Sequence, residues 1–299
     1  MQNQQKGVIA ALGAYCMWGL FPLYWQGLAA VDSQEILASR VIWSFLLTLL
    51  FVVVIRKGNE LLKDVKALWQ RKSDFWKLTV AAYLVTLNWY LYIWAVNHHH
   101  IIETSLGYYL NPIISILLGI IFLKERLSKA QIVAVGIAIL GVAMMIVNYG
   151  TVPWIALGLA FSFGIYGLLK KSIHLDATRG LVIETAFVLP IALIYYIYLA
   201  VEGKMAFGMV DLKTTMLLIG AGAVTSIPLI LFAIGAQNIP LYLVGFIQYV
   251  SPTIALLLGV FVFHESFGKI EFLSFGLIWI AIIIFSVTTI LDVRKHHHN

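Results

Sequence analysis

The chain has 299 residues, 61 % of them hydrophobic and 11 % charged, with 20 Lys and Arg against 14 Asp and Glu. A soluble domain carries roughly 25 % charged residues, so a mean hydropathy of +0.92 excludes a water-soluble globule and points to an integral membrane protein. The net charge of +6 comes with no Lys/Arg tract interleaved with aromatics, which excludes a base-stacking nucleic-acid groove, and the single cysteine, Cys16, excludes an intramolecular disulfide.

Apolar runs of bilayer length predict ten spans, at 7–29, 34–55, 76–97, 101–123, 130–148, 153–171, 180–200, 212–235, 240–263 and 271–292. The first follows Lys6 as a signal peptide would. Trp18, Pro22, Tyr24 and Trp25 interrupt its apolar run, so it reads as a retained span. Between the second and third, residues 59–71 set Leu61, Leu62, Val65, Leu68 and Trp69 at three-to-four spacing among lysines. That pattern predicts an amphipathic helix lying on the anionic inner leaflet. Sixteen of the 20 Lys and Arg fall on the side of the N-terminus, three on the opposite side, and Arg40 inside a span. The asymmetry places both termini in the cytosol.

Part of the chain is written twice. Pro112, Gly119, Glu125 and Lys129 recur as Pro252, Gly259, Glu265 and Lys269, all at an offset of 140 residues. Ala11-Leu12-Gly13 recurs as Ala156-Leu157-Gly158. Each half, 1–149 and 150–299, then holds five spans; an odd number forces the second half to enter the membrane from the opposite side. The expected fold is all-α, ten transmembrane helices in two inverted five-helix repeats. Such repeats exchange conformations around a midplane site, which points to a transporter or a channel.

Polar groups gather at that depth. Asn88 and Tyr92, with Trp89, lie in the third span; Tyr108, Asn111, Pro112 and Ser115 share a face of the fourth. Thr225, Ser226 and Pro228 in the eighth and Gln248, Tyr249, Ser251 and Pro252 in the ninth occupy the equivalent depth. A midspan proline frees a carbonyl that lipid cannot satisfy, so these positions should face protein or a wet cavity. Arg40 and Glu103 lie toward the same outer end, and a pair between them would form an outer gate. Glu184, in a span running the other way, falls near the inner surface as an inner counterpart or a snorkelling group. Ala134, Ala138 and Gly141 form a small-residue face for close helix contact, within one chain or in a homodimer.

Other chemistry is not indicated. His98-His99-His100 aim three consecutive ligands in different directions, so they read as loop residues and no metal is expected. His296–His298 are set aside as a possible tag. No phosphate-cradling G-x-x-x-x-G-K-[ST], no G-x-S-x-G and no H-E-x-x-H occurs, so neither a cofactor nor an enzyme is expected.

The stretches Glu35-Ile36-Leu37, Arg40-Val41-Ile42-Trp43-Ser44-Phe45, Asn88-Trp89, Trp94-Ala95-Val96-Asn97, Ser105-Leu106-Gly107-Tyr108 and Asn111-Pro112 carry a resemblance. With Ala156 to Phe163 and Ile183-Glu184-Thr185, they are similar to the EamA family of the drug/metabolite transporter superfamily, in its RarD-type branch. The resemblance implies ten helices in two EamA repeats, a plasma-membrane location and export of a solute. An aromatic, amide-rich lining without a fixed charge predicts a small amphiphilic, neutral or zwitterionic solute: a metabolite, an aromatic amino acid or a drug-like compound. A non-saturating channel and a membrane-embedded sensor or enzyme are the alternatives. Accessibility labelling should find Lys129 and Lys269 on opposite faces of the bilayer; labelling from one face would reject the inverted repeat.

Overall fold

Asp and Ser caps start four of the long helices. Asp32 accepts hydrogen bonds from the Gln34 and Glu35 amides to open a helix over Ser33–Val54, Asp176 does the same for Ala177–Val201, and Asp211 for Leu212–Asn238. Ser128 and Gln131 exchange hydrogen bonds in a capping box ahead of Lys129–Tyr149. The computed structural model describes residues 2–98, 100–262 and 268–295, and every regular element among them is helical. In chain order these are α1 (Gln2–Gly19), α2 (Phe21–Trp25), a 3-10 turn (Gln26–Leu28), α3 (Ser33–Val54), α4 (Gly58–Gln70) and α5 (Lys72–Asn97). There follow α6 (Ile101–Leu123), α7 (Lys129–Tyr149), α8 (Trp154–Ser172), α9 (Ala177–Val201) and α10 (Leu212–Asn238). The last three are α11 (Leu241–Gln248), α12 (Val250–Phe261) and α13 (Lys269–Lys295). The landmark Glu265, together with His99 and His296–His298, lies outside the described residues.

Eight stretches are long and apolar enough to cross a membrane, with α11–α12 counted as one, and the bent run from α1 through α2 makes a ninth. The sixth expected span, α8, is not among them: it ends on Lys170-Lys171, and these two charges lower its apolar average. Two of the expected spans are broken. The first bends by 41° after Gly19, where Pro22 starts a new short helix. The ninth breaks at Tyr249, because the Pro252 ring lacks an amide hydrogen and crowds the carbonyl four residues back, that of Gln248. Pro112 and Pro228 leave α6 and α10 unbroken.

Helix α6 is the centre of the bundle, packed along α8 on one flank and α11 on another. Around it, α1 lies on α10, α3 on α9 and α10, α5 on α8, and α7 on α13. The small-residue face of Ala134, Ala138 and Gly141 is buried against α13 of the same chain: a Cβ on Gly141 would come within 2.9 Å of the Ser274 carbonyl. The amphipathic segment forms as expected, as α4. Its Leu61 and Leu68 pack with Leu78, Ile173 and Ile183, while Leu62, Val65 and Trp69 stay exposed as an apolar ridge. Arg179 at the start of α9 ties α4 down through Asp64 (2.5 Å) and Glu60.

The closest helix approach sets the position of the site below. Gly222 of α10 lies against the backbone of α3, where a Cβ would sit 2.4 Å from the Trp43 carbonyl carbon and 2.8 Å from the Ser44 nitrogen. Gly222→Ala must therefore push two helices apart. A loss of thermal stability in detergent equivalent to about 1–3 kcal/mol is expected; an unchanged melting temperature would reject this contact.

Candidate functional site

The Gly222 contact aims a buried cation. Ser44 donates its hydroxyl to the Gly222 carbonyl (3.1 Å) and pins α3 to α10. Arg40, one turn back along α3, then reaches Thr225, one turn beyond Gly222, and donates its Nε to the Thr225 hydroxyl at 2.9 Å. The guanidinium lies over the face of Trp89 from α5 (4.2 Å to the ring centroid) and 5.1 Å from the Trp25 ring at the end of α2. Only 8 % of Arg40 is exposed. Tyr92 of α5 and Tyr108 of α6 meet edge to face at 5.7 Å, within electrostatic reach of the same guanidinium. Tyr108 nonetheless remains 43 % exposed in the middle of the most buried span of the bundle. Four helices and the α2 turn thus line an open aromatic cleft with a positive charge in its wall.

The expected lining divides into parts. Trp89, Tyr92 and Tyr108 line the cleft. Asn111 and Ser115 lie about one and two turns deeper along α6, buried against α11, where the Ser115 hydroxyl donates to Gln248 Oε1 at 3.3 Å. Asn111 Oδ1 and the Tyr249 hydroxyl are buried there without a hydrogen-bond partner among the described residues. Asn88 faces elsewhere: its amide donates to the Leu159 carbonyl and the Ser162 hydroxyl, both at 2.8 Å, and holds α5 to α8. Ser251 presents its carbonyl to Gly19 where α12 meets α1. Pro112, Pro228 and Pro252 are all buried in protein.

The expected charge pair is not formed. Glu103 accepts from the Tyr149 hydroxyl (2.8 Å) and the Ile155 amide (3.0 Å), so it fastens α6 to the start of α8 rather than to Arg40. The lining also does not lack a fixed charge, since Arg40 is part of it. Glu184 neither snorkels nor reaches a surface: it is buried with Lys170 Nζ at 2.5 Å and the Tyr166 hydroxyl at 3.4 Å. The place of Lys170 near a helix end hides that it points inward. Trp25 and Lys170 carry no signal in the sequence for these contacts. Thr225 stood at the right depth, but nothing local ties it to Arg40, 185 residues away.

The two ends of the cleft differ. From Gly119 to Asn111, α6 is sealed against α11: a Cβ on Gly245 would come within 2.8 Å of the Pro112 carbonyl and 2.7 Å of Ile116. Past the break at Tyr249, α12 leans onto α1 instead, so the walls part toward the Glu103 end. At the sealed end the Glu125 carboxylate accepts from the Leu241 and Tyr242 amides (2.7 and 2.9 Å), capping α11. Lys171 donates to the Ile239 and Ala236 carbonyls (2.5 and 3.3 Å) at the end of α10.

The family model of the EamA-like transporter family matches residues 5–147 and again 151–287. This chain belongs to the EamA-like transporter family. It is 44 % identical to the Bacillus subtilis protein named uncharacterized transporter YojE, over 96 % of this chain and 95 % of that one. It is 41 % identical to protein RarD of Escherichia coli, with 98 % of both chains covered. To the chloramphenicol-sensitive protein RarD of Pseudomonas aeruginosa it is 30 % identical, over 95 % of this chain and 94 % of that one. A solved crystal structure at 17 % identity shares the fold, with a TM-score of 0.70 over 94 % of this chain and 98 % of the other. The relatives are named as transporters, and this EamA protein is a multi-pass membrane transporter of RarD type.

Between the cleft and the Lys170–Glu184 pair, this EamA protein keeps a cavity of about 20 Å³ bounded by Trp89, Thr86, Thr185 and Glu184. That is room for about one water. A buried ion pair contributes little net stability, whereas removing one partner strands the other charge at about 3–5 kcal/mol. Lys170→Met and Glu184→Met should each lower the melting temperature strongly. The double variant should recover most of the loss, and additive losses in the three proteins would contradict a direct pair.

Proposed function

We propose that this EamA protein is a secondary transporter that exports a small amphiphilic solute, zwitterionic or neutral, across the plasma membrane by alternating access. In this reading the chain is ten transmembrane helices in two inverted repeats, 1–149 and 150–299, with both termini in the cytosol. It carries out no chemistry on the solute and holds no cofactor. One observation carries the proposal: α6 and α11 are sealed at the Glu125 end while α12 diverges at the Glu103 end, leaving Tyr108 open between buried neighbours. A pathway closed at one end and open at the other is what alternating access requires of a single state. The family membership and the two separate matches to the family model support the same reading. So do Asn111 and Tyr249, buried polar groups without partners at the floor of the cleft. Unmet hydrogen bonds there cost free energy that a bound solute or a repacked interface would recover.

Flux of aromatic amino acids and their analogues into proteoliposomes tests it. The wild type should saturate with solute concentration. Tyr108→Ala and Asn111→Ala should each lower kcat/KM by about tenfold or more, the worth of one buried contact of roughly 1.4 kcal/mol, with unchanged expression. Non-saturating flux, or full transport by both variants, would reject the reading.

A further inference from the structure

We propose that Arg40 is the anchor for a carboxylate on the transported solute, so that the cargo class is an aromatic compound bearing a carboxylate. The inference rests on the cleft being the solute site and goes on to name the chemistry that the cleft selects.

The argument is one of charge accounting inside the bundle. Four glutamates of the bundle are each committed elsewhere. Glu35 accepts from the Ala206 and Phe207 amides at 2.9–3.0 Å, Glu103 from Tyr149 and Ile155, Glu125 from Leu241 and Tyr242, and Glu184 is held by Lys170. Among the described residues no carboxylate lies within ion-pair distance of Arg40. Its Nε is used on Thr225, which fixes the plane of the fork, and no hydrogen bond from its two terminal nitrogens is found among the described residues. An unpaired cation inside a span is costly, and the Trp89 and Trp25 faces offset part of that cost. They leave the two parallel N–H donors free, which is the geometry that grips a carboxylate in a bidentate manner.

The remaining lining defines the rest of the molecule. Trp25, Trp89, Tyr92 and Tyr108 offer ring faces and edges spaced for an aromatic body. With these four carboxylates engaged, none of them is left to read an ammonium. An amino group on the solute is tolerated and not required. A carboxylate is required.

Three probes separate these demands: phenylalanine, 3-phenylpropionate and phenylalaninamide, measured by concentration-dependent thermal shift on the purified full-length protein. Phenylalanine and 3-phenylpropionate should bind the wild type about ten- to a hundredfold more tightly than the amide, the usual worth of a charge-assisted hydrogen-bonded pair. Arg40→Gln should bring the three within about twofold of one another, and Arg40→Lys should retain part of the preference. Thr225→Val, which frees the fork to rotate, should weaken both acids and leave the amide unchanged. Wild-type binding of the amide equal to that of the acids, or an acid preference that survives in Arg40→Gln, would overturn the proposal. So would the absence of acid binding at millimolar concentration. Tyr108→Ala separates the underlying reading: it should weaken all three probes, and if it weakens none, the cleft is not the solute site.

Discussion

A charge inside a membrane bundle must find its partner in the bundle, because lipid supplies none. This chain meets that demand mainly with backbone amides. Glu35, Glu103 and Glu125 each accept from one or two main-chain N–H groups at a loop or a helix start, while Glu184 pairs with Lys170 at 2.5 Å. Amides at a helix start carry the positive end of the helix dipole and need an acceptor, so one contact satisfies the carboxylate and the helix together. Arg40 stands apart from this economy. Two tryptophan faces and one threonine hydroxyl hold it.

The same contacts decide where α6 and α11 pack tightly. The turn between α10 and α11 is gripped on both sides, its last carbonyls by Lys171 and the first α11 amides by Glu125. Gly245 then lets α11 lie flush on α6, where any side chain would collide with Ile116 or the Pro112 carbonyl. The break at Tyr249 releases α12 from that register and lets it follow α1 toward Gly19. Close packing at one end and divergence at the other thus come from one proline-induced break and from the placement of glycines.

Much of the fold could be read from the residues. The spans follow from apolar length and α4 from the spacing of Leu61, Leu68 and Trp69. Aromatic and polar side chains at midspan depth avoid lipid, and Trp89, Tyr92 and Tyr108, read by that rule, gather around Arg40. Asn88 satisfied the same rule by another route, an interhelical bond to α8. Depth alone cannot tell a residue that faces a cavity from one that faces a neighbouring helix. Helical rotation, set by packing, separates the two.

The sequence by itself determined the class of molecule, its all-helical fold and the rough limits of its apolar helices. All of these depend on composition and spacing along one chain. Only the tertiary structure decided the partners: Arg40 with Thr225 and the tryptophans, Glu103 with α8, Lys170 with Glu184. Those choices depend on which helix faces meet, and helix faces meet where glycines allow the backbones to close, at Gly222 and Gly245 above all. No local pattern records that geometry, because it is a property of two surfaces more than a hundred residues apart in the chain.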